Sequence, residues 1–310
     1  MTAPRLVLKV DVDTYQGTVE GVPRLLDLFA REGVVATFLF SVGPDTTGRA
    51  VKRVFRKGFV KKVLRASPAA SYGIRTMLYG TLLPAPDIGT RADAVAWMRA
   101  ARDAGHECGL HAWDHVDWHD RLPSMGREEV EAVVGWAHDR FASVFGRRAT
   151  VAGAPGWTAT DLSVAAQEAR GVTVSSDTRG GAPFHPLLPD GRASRTVEVP
   201  STLPTLDELL ALDEYGESAA ARERTVRLLV EAVTREGGLH VHSVHTEIEG
   251  GKALHPLFAR QLAAWKEAGV AFVTLGGAAA ELVCAGAALP ARPLAFTTLP
   301  GRATPVASGW

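Results

Sequence analysis

Two cysteines, seven lysines and no net charge are this 310-residue chain's scarcities, and each one excludes a class of protein. Cys108 and Cys284 lie far apart, beside small or apolar residues, which suits buried thiols and not a disulfide-stapled scaffold. With 34 basic and 34 acidic residues, the molecule as a whole is no electrostatic nucleic-acid binder. No apolar run reaches the ~18 residues of a membrane-spanning helix. The first residues carry no charged-then-apolar signal pattern, so the expectation is a cytoplasmic protein without a transmembrane helix. No glycine-rich phosphate loop follows the first strand-like segment, which argues against a doubly wound dinucleotide fold. What remains, 46% hydrophobic and 22% charged, is ordinary for a soluble protein with one sizeable core.

One further absence is local. Between Thr46 and Pro86 there is no acidic residue, while nine lysines and arginines fall there. Val51, Val54 and Phe55 share one helical face, opposite Lys52, Arg53, Arg56 and Lys57. After Gly58 the apolar set becomes Phe59, Val60, Val63 and Leu64, opposed by Lys61 and Lys62. Two short amphipathic pieces with a break at Gly58 are expected. They read either as helices packed on the domain with a charged exterior or as an interfacial membrane segment. The missing acids favour the second, with Lys52, Arg53, Phe55, Arg56, Lys57, Phe59, Lys61 and Lys62 meeting an anionic bilayer. No interleaved stacking set points to nucleic acid.

Strand-like and helix-like segments alternate along the chain, from the strand Leu6–Val12 to the helix Gly277–Val283. Repeated strand–helix units imply parallel strands with right-handed crossovers. The expected fold is α/β, an irregular or incomplete (β/α) barrel of about seven parallel strands over residues 1–284. A basic insertion at about 44–92 interrupts it after the second strand, and an Ala/Pro-rich, flexible tail at 285–310 follows it. In such barrels chemistry collects at the carboxyl ends of the strands. Asp11, Asp13, His111, His115, Asp177 and His245 all fall at such ends.

Asp11 and Asp13 stand two apart at the end of the first strand, so their carboxylates share a face. Two such carboxylates repel unless a cation or a proton intervenes, although a solvated turn places aspartates the same way. His111 and His115 follow another strand, four apart. If that segment turns helically, both imidazoles face one cation. Asp13 would complete a two-His, one-carboxylate set; His119, continuing the same spacing, is the alternative third ligand or part of a solvated stripe. Such a donor set accepts Zn, Mn, Co or Fe without distinction.

Taken together these stretches resemble the polysaccharide deacetylase (NodB-like) superfamily of metal-dependent amide hydrolases. They are most similar to its branch of deformylases acting on undecaprenyl-phosphate-linked 4-formamido-4-deoxy-L-arabinose. The stretches are Asp11-Val12-Asp13-Thr14, Gly21-Val22-Pro23-Arg24-Leu25-Leu26, Phe40-Ser41-Val42-Gly43-Pro44-Asp45, Gly109-Leu110-His111-Ala112-Trp113-Asp114-His115, Ser176-Asp177-Thr178-Arg179-Gly180, Thr202-Leu203-Pro204-Thr205 and His245-Thr246-Glu247-Ile248-Glu249-Gly250. The resemblance implies one divalent transition metal on Asp13, His111 and His115, with Asp11 as general base. It implies His245 as the acid that protonates the leaving amine, and Asp177 as the carboxylate behind it. Trp113, Gly156 and Trp157 are expected at the substrate, with backbone N–H groups near Gly156 or Trp157 as oxyanion donors. Glu247 and Glu249 are expected either to receive the amino sugar or to be solvated. The substrate implied is a polyprenyl-phosphate-linked sugar at the cytoplasmic face of a bacterial inner membrane. One departure stands out: Gly153-Ala154-Pro155-Gly156-Trp157 lacks the arginine that usually opens the superfamily's third motif, which leaves the orientation of the base unassigned. His240 and His242 alternate on a strand, and at most His242 faces the site.

Overall fold

The computed structural model of the protein describes residues 3–54, 75–215, 218–302 and 304–309. Strand β1 (Arg5–Val12) leads through a π-helical turn (Gly17–Gly21) into helix α1 (Val22–Glu32), and β2 (Thr37–Ser41) returns to the sheet. Helix α1 stops because Gly33 takes the left-handed conformation, φ 64°, which lets its N–H bond back to Phe29 and Ala30. Helices α2 (Thr47–Val54) and α3 (Ala92–Asp103) precede β3 (Glu107–Ala112), α4 (His115–Arg121) and α5 (Arg127–Phe145). Then come β4 (Val151–Ala152), α6 (Asp161–Ala169), β5 (Val174–Ser175), β6 (His185–Pro186), β7 (Val197–Glu198) and α7 (Leu206–Leu210). Helix α8 (Ala219–Glu236), β8 (Leu239–His245), α9 (His255–Glu267), β9 (Ala271–Val273) and α10 (Leu275–Cys284) complete the alternation.

The central sheet is parallel, in the order β7-β5-β4-β3-β2-β1-β8, with β9 also pairing to β1. It is the incomplete (β/α) barrel that the strand–helix alternation implies. Its open side is bridged beyond β7, where the N–H groups of Thr202 and Leu203 donate to the carbonyl of Val241 on β8. Period-two alternation on β1 divides the molecule into two environments. Leu6, Leu8, Val10 and Val12 face the helices, packing with Phe29, Phe38, Phe40 and Trp265. Val7 points into the barrel with Leu39, Val151, Val174, Val197 and Val241, over Leu275 of α10. Each such side chain removed from water contributes about 1.5–3 kcal/mol. Above this apolar floor the same face of β1 carries Lys9 and Asp11, and Asp13 follows, all buried.

The insertion leaves and re-enters the domain at one point, where Pro44 and Asp87 bridge and Asp45 N–H donates to the carbonyl of Pro86. Lys52 and Arg53 belong to α2. Phe55, Arg56, Lys57, Phe59, Lys61 and Lys62, together with the break expected at Gly58, lie outside the described residues.

Two expectations give way. The segment after α10 is packed rather than loose: β10 (Ala291–Arg292) pairs with β6, and β11 (Ala295–Thr297) forms an antiparallel pair with β12 (Val306–Ser308). Val306, Ala307 and Ser308 are buried, and the Ala307 carbonyl accepts from Arg179 N–H. The Ala/Pro/Thr-rich composition suggested disorder; backbone pairing to β6 and to the loop after β5 supplies the order instead. Cys108 is buried as expected, but Cys284 ends α10 exposed.

Candidate active site

Asp13 lies between two imidazoles: its Oδ1 is 3.2 Å from His111 Nε2 and its Oδ2 is 3.5 Å from His115 Nε2. The two histidines do not share a helical face. His111 is the last residue but one of β3, His115 opens α4, and the turn between them is held by Asp114, whose Oδ1 caps the helix by accepting from Val116 and Asp117 N–H. Both rings still converge, with centroids 5.4 Å apart. The Asp45-Thr46 pair braces the two ligand-bearing loops. Asp45 accepts from Tyr15 N–H, just beyond Asp13, and the Thr46 hydroxyl donates to Asp114.

Asp13, His111 and His115 each offer one donor atom within 4.8 Å of the others. His111 Nδ1 is 2.6 Å from the carbonyl of Gly153, so that nitrogen carries the proton and Nε2 presents a lone pair toward Asp13. Asp13 Oδ1 and Asp11 Oδ1 are buried without any hydrogen-bond partner. Burial opposes ionisation of Asp13, and it is positive charge at the His115 and His111 positions that outweighs burial and holds Asp13 far below the usual carboxylate range, a charge that a cation bound to the neutral imidazoles would supply. An ionised carboxylate, two imidazole lone pairs and orphaned buried oxygens fit a divalent transition metal. His119 is one turn further along α4, beside Gly156 and Thr304, outside this donor set.

Asp11 and His245 are register partners on β1 and β8, which places them side by side at the rim of the sheet. His245 Nδ1 faces Asp207 Oδ1 of α7 at 3.5 Å, and neither atom has another hydrogen-bond partner. Burial pulls the His245 pKa down, but Asp207, Asp13, Glu249 and Asp11 outweigh it and raise it from 6.5 to about 9. The carboxylate behind His245 is therefore Asp207, not Asp177. Asp177 lies beyond β5, where its carboxyl accepts from Ala154 N–H and feels Lys9. There burial and Glu198 push it up to about 8. It belongs to the barrel interior on the Asp11 side. Asp207 escapes a sequence reading because α7 is a short element whose only local signal is the Thr205/Glu208 capping box.

The residues expected at the substrate differ in their surroundings. Trp113 packs outward against Trp136 of α5, under the guanidinium of Arg140. Trp157 is 1% exposed, so it has no face for a sugar to stack on. Its backbone holds φ 53°, a costly conformation for a bulky residue, and its N–H is already donated to Ala154. Its indole Nε1–H donates to Ser201, the groups of Lys9, Arg179 and Arg302 lie over the ring, and its plane meets the His245 ring edge-on at 6.3 Å. Trp157 thus forms a buried wall behind His245. Gly156 remains at the rim, half-buried, where a Cβ would overlap His119.

Glu247 and Glu249 are both buried. Glu247 takes the backbone and hydroxyl hydrogens of Thr14, and burial with the neighbouring Asp13 raises it to about 8. Glu249 accepts the backbone N–H of His245, closing the turn that carries the acid; burial raises it to about 7. Both carboxylates hold the loops around them through these hydrogen bonds. His242 points to the helix side, against Trp265, and burial lowers it to about 3.

Residues 3–175 match the profile of the family described as Polysaccharide deacetylase. The chain is 37% identical over 243 residues to a probable 4-deoxy-4-formamido-L-arabinose-phosphoundecaprenol deformylase, ArnD, of Shewanella sediminis (strain HAW-EB3), covering 78% of this chain and 75% of that one. Among solved structures it resembles Puue allantoinase, with a TM-score of 0.61 at 16% identity over 91% of each chain. It also resembles a probable polysaccharide deacetylase from Pseudomonas aeruginosa PAO1, with a TM-score of 0.60 at 15% identity, covering 90% of this chain and 91% of that one. The chain belongs to the polysaccharide deacetylase family of amide hydrolases.

Proposed function

We propose that this protein is a metal-dependent deformylase that hydrolyses the formamide of undecaprenyl-phosphate-linked 4-formamido-4-deoxy-L-arabinose, a step in modifying lipid A with aminoarabinose and in resistance to cationic peptides such as polymyxin. The observation that carries it is the register pairing of Asp11 with His245 beside the Asp13–His111–His115 group, in a chain 37% identical to a probable deformylase of that lipid-linked sugar. A base and an acid then flank one reacting bond.

Asp13, His111 and His115 would hold one divalent metal. When bound, it supplies Lewis-acid polarisation and the lowering of water's pKa from ~15.7 toward ~7, worth on the order of 11–12 kcal/mol. Asp11 Oδ1, unpartnered and beside this group, takes the proton of the attacking water as its oxygen bonds to the formyl carbon. His245 gives its proton to the nitrogen as the C–N bond breaks, releasing formate and a primary amine. Asp207 keeps the His245 proton-bearing nitrogens oriented and its cation favoured. A membrane-linked substrate agrees with the acid-free basic run at 46–86, read as a peripheral attachment to an anionic cytoplasmic leaflet. No helix among the described residues is long and apolar enough to cross a membrane. The second reading is N-deacetylation of another amino sugar, which the same acid–base pair would serve. Incubation with the formamido and the acetamido lipid-linked sugars decides: formate release supports deformylation, and acetate release at equal or greater rate overturns it.

A further inference from the structure

Lys9 has no exposed surface at all, and it is among the largest fully buried side chains of the protein. A lysine there costs several kcal/mol in lost hydration unless it is paired. Its Nζ is 2.8 Å from Asp11 Oδ2, and it stands 5.0 Å above the centroid of the Trp157 ring. Among the described residues, no arginine and no other lysine lies within ion-pair distance of Asp11; His111 Nδ1 is 3.9 Å from the other oxygen. The division of labour on the carboxylate is what matters. Oδ2 is taken by Lys9, while Oδ1 is left without a hydrogen-bond partner toward the donor group of Asp13 and His111. The barrel is shaped for this: Gly153 lacks the Cβ that would overlap Lys9 Cε, and its carbonyl holds His111.

We propose that Lys9 is the positioning residue for the base: by fixing Asp11 Oδ2 from the strand below, with Trp157 over its amine, it aims Oδ1 at the reacting water. The role that an arginine after the fourth strand would fill is thereby supplied from two residues upstream on β1 itself. Period two makes this workable, since residues 9, 11 and 13 share one face. The inference rests on reading Asp11 as the base.

The test is a cycle of K9M, K9R, D11N and K9M/D11N in the full chain, with bound metal measured by elemental analysis and folding by circular dichroism. K9M is expected to keep its metal and its KM within about threefold while kcat falls at least ~100-fold, the range of a misdirected general base. K9R, which keeps a cationic donor, is expected to recover most of that loss. In the D11N background, K9M is expected to cost nothing further, because Lys9 acts only through Asp11. A further large loss on adding K9M to D11N, a metal-loaded K9M with kcat within threefold of the parent, or a folded, metal-loaded K9R as inactive as K9M overturns the proposal. If K9M fails to fold, K9R alone decides. A fully active D11N instead overturns the reading of Asp11, which separates the two failures.

Discussion

Replacing Asp207 by asparagine removes the negative charge that faces His245 while keeping the side chain's size. At 3.5 Å, two unit charges interact by on the order of 4 kcal/mol at an effective dielectric constant of ~20. The open edge of Asp207 admits solvent, which reduces this to about 2–3 kcal/mol, or roughly two pKa units. A cation among Asp13 and the histidines would neutralise most of the Asp13 contribution, leaving Asp207 as the chief support of the raised value of about 9. Because the shift is upward, the protonated acid persists through neutral pH and is lost only as pH rises toward 9. In D207N the acid loses those roughly two pKa units and falls toward about 7. At pH 8 the protonated fraction then falls from ~90% to ~10%, so kcat drops about 10-fold, or about 1.4 kcal/mol. At pH 6 both enzymes keep the acid protonated and differ little. The measurement is kcat against pH from 5.5 to 9.5, followed by formate release. A loss of equal size at every pH refutes the charge argument. A limb that moves in D177N and not in D207N refutes the assignment of the partner.

The donor group gives a second prediction: H111A and D13A lose the bound divalent cation in elemental analysis, and its retention in either refutes the ligand set. Truncation before Ala291 removes β10, β11 and β12 along with Arg302, which lies over Trp157 and pairs with Glu208. A loss of at least about 2 kcal/mol in urea unfolding is expected from the buried Val306 and Ala307 alone; an unchanged midpoint would mean the segment is the loose tail its composition suggests. Sedimentation with vesicles containing anionic lipid is expected to weaken with salt and on neutralising Lys52, Arg53, Arg56 and Lys57, and salt-independent binding refutes peripheral attachment.

Much of this protein is written in short-range pattern. The alternation of strand-like and helix-like segments implies a parallel sheet, because period-two and period-3.6 burial are properties of consecutive residues. Asp11, Asp13, His111, His115 and His245 were legible because strand ends in such a sheet meet at one rim. Lys9 was within reach of the same reasoning, being two residues before Asp11 on the same face; a charged residue inside an apolar strand is its signal. Other features are beyond any local pattern. Asp207 reaches His245 only because the crossing from β7 to β8 lays α7 over the open side of the barrel. Trp113 follows the histidine of β3, yet the turn capped by Asp114 directs it outward to Trp136. Glu247 and Glu249 read in sequence either as partners of an amino sugar or as solvated loop acids, and they are buried acceptors once Thr14 and the His245 turn close on them. Sequence by itself determined which chemistry this protein carries, since the reacting groups sit at the ends of recognisable strands. Which carboxylate faces His245 and whether the last residues are ordered were decided only by tertiary structure, because each depends on contacts between elements far apart in the chain.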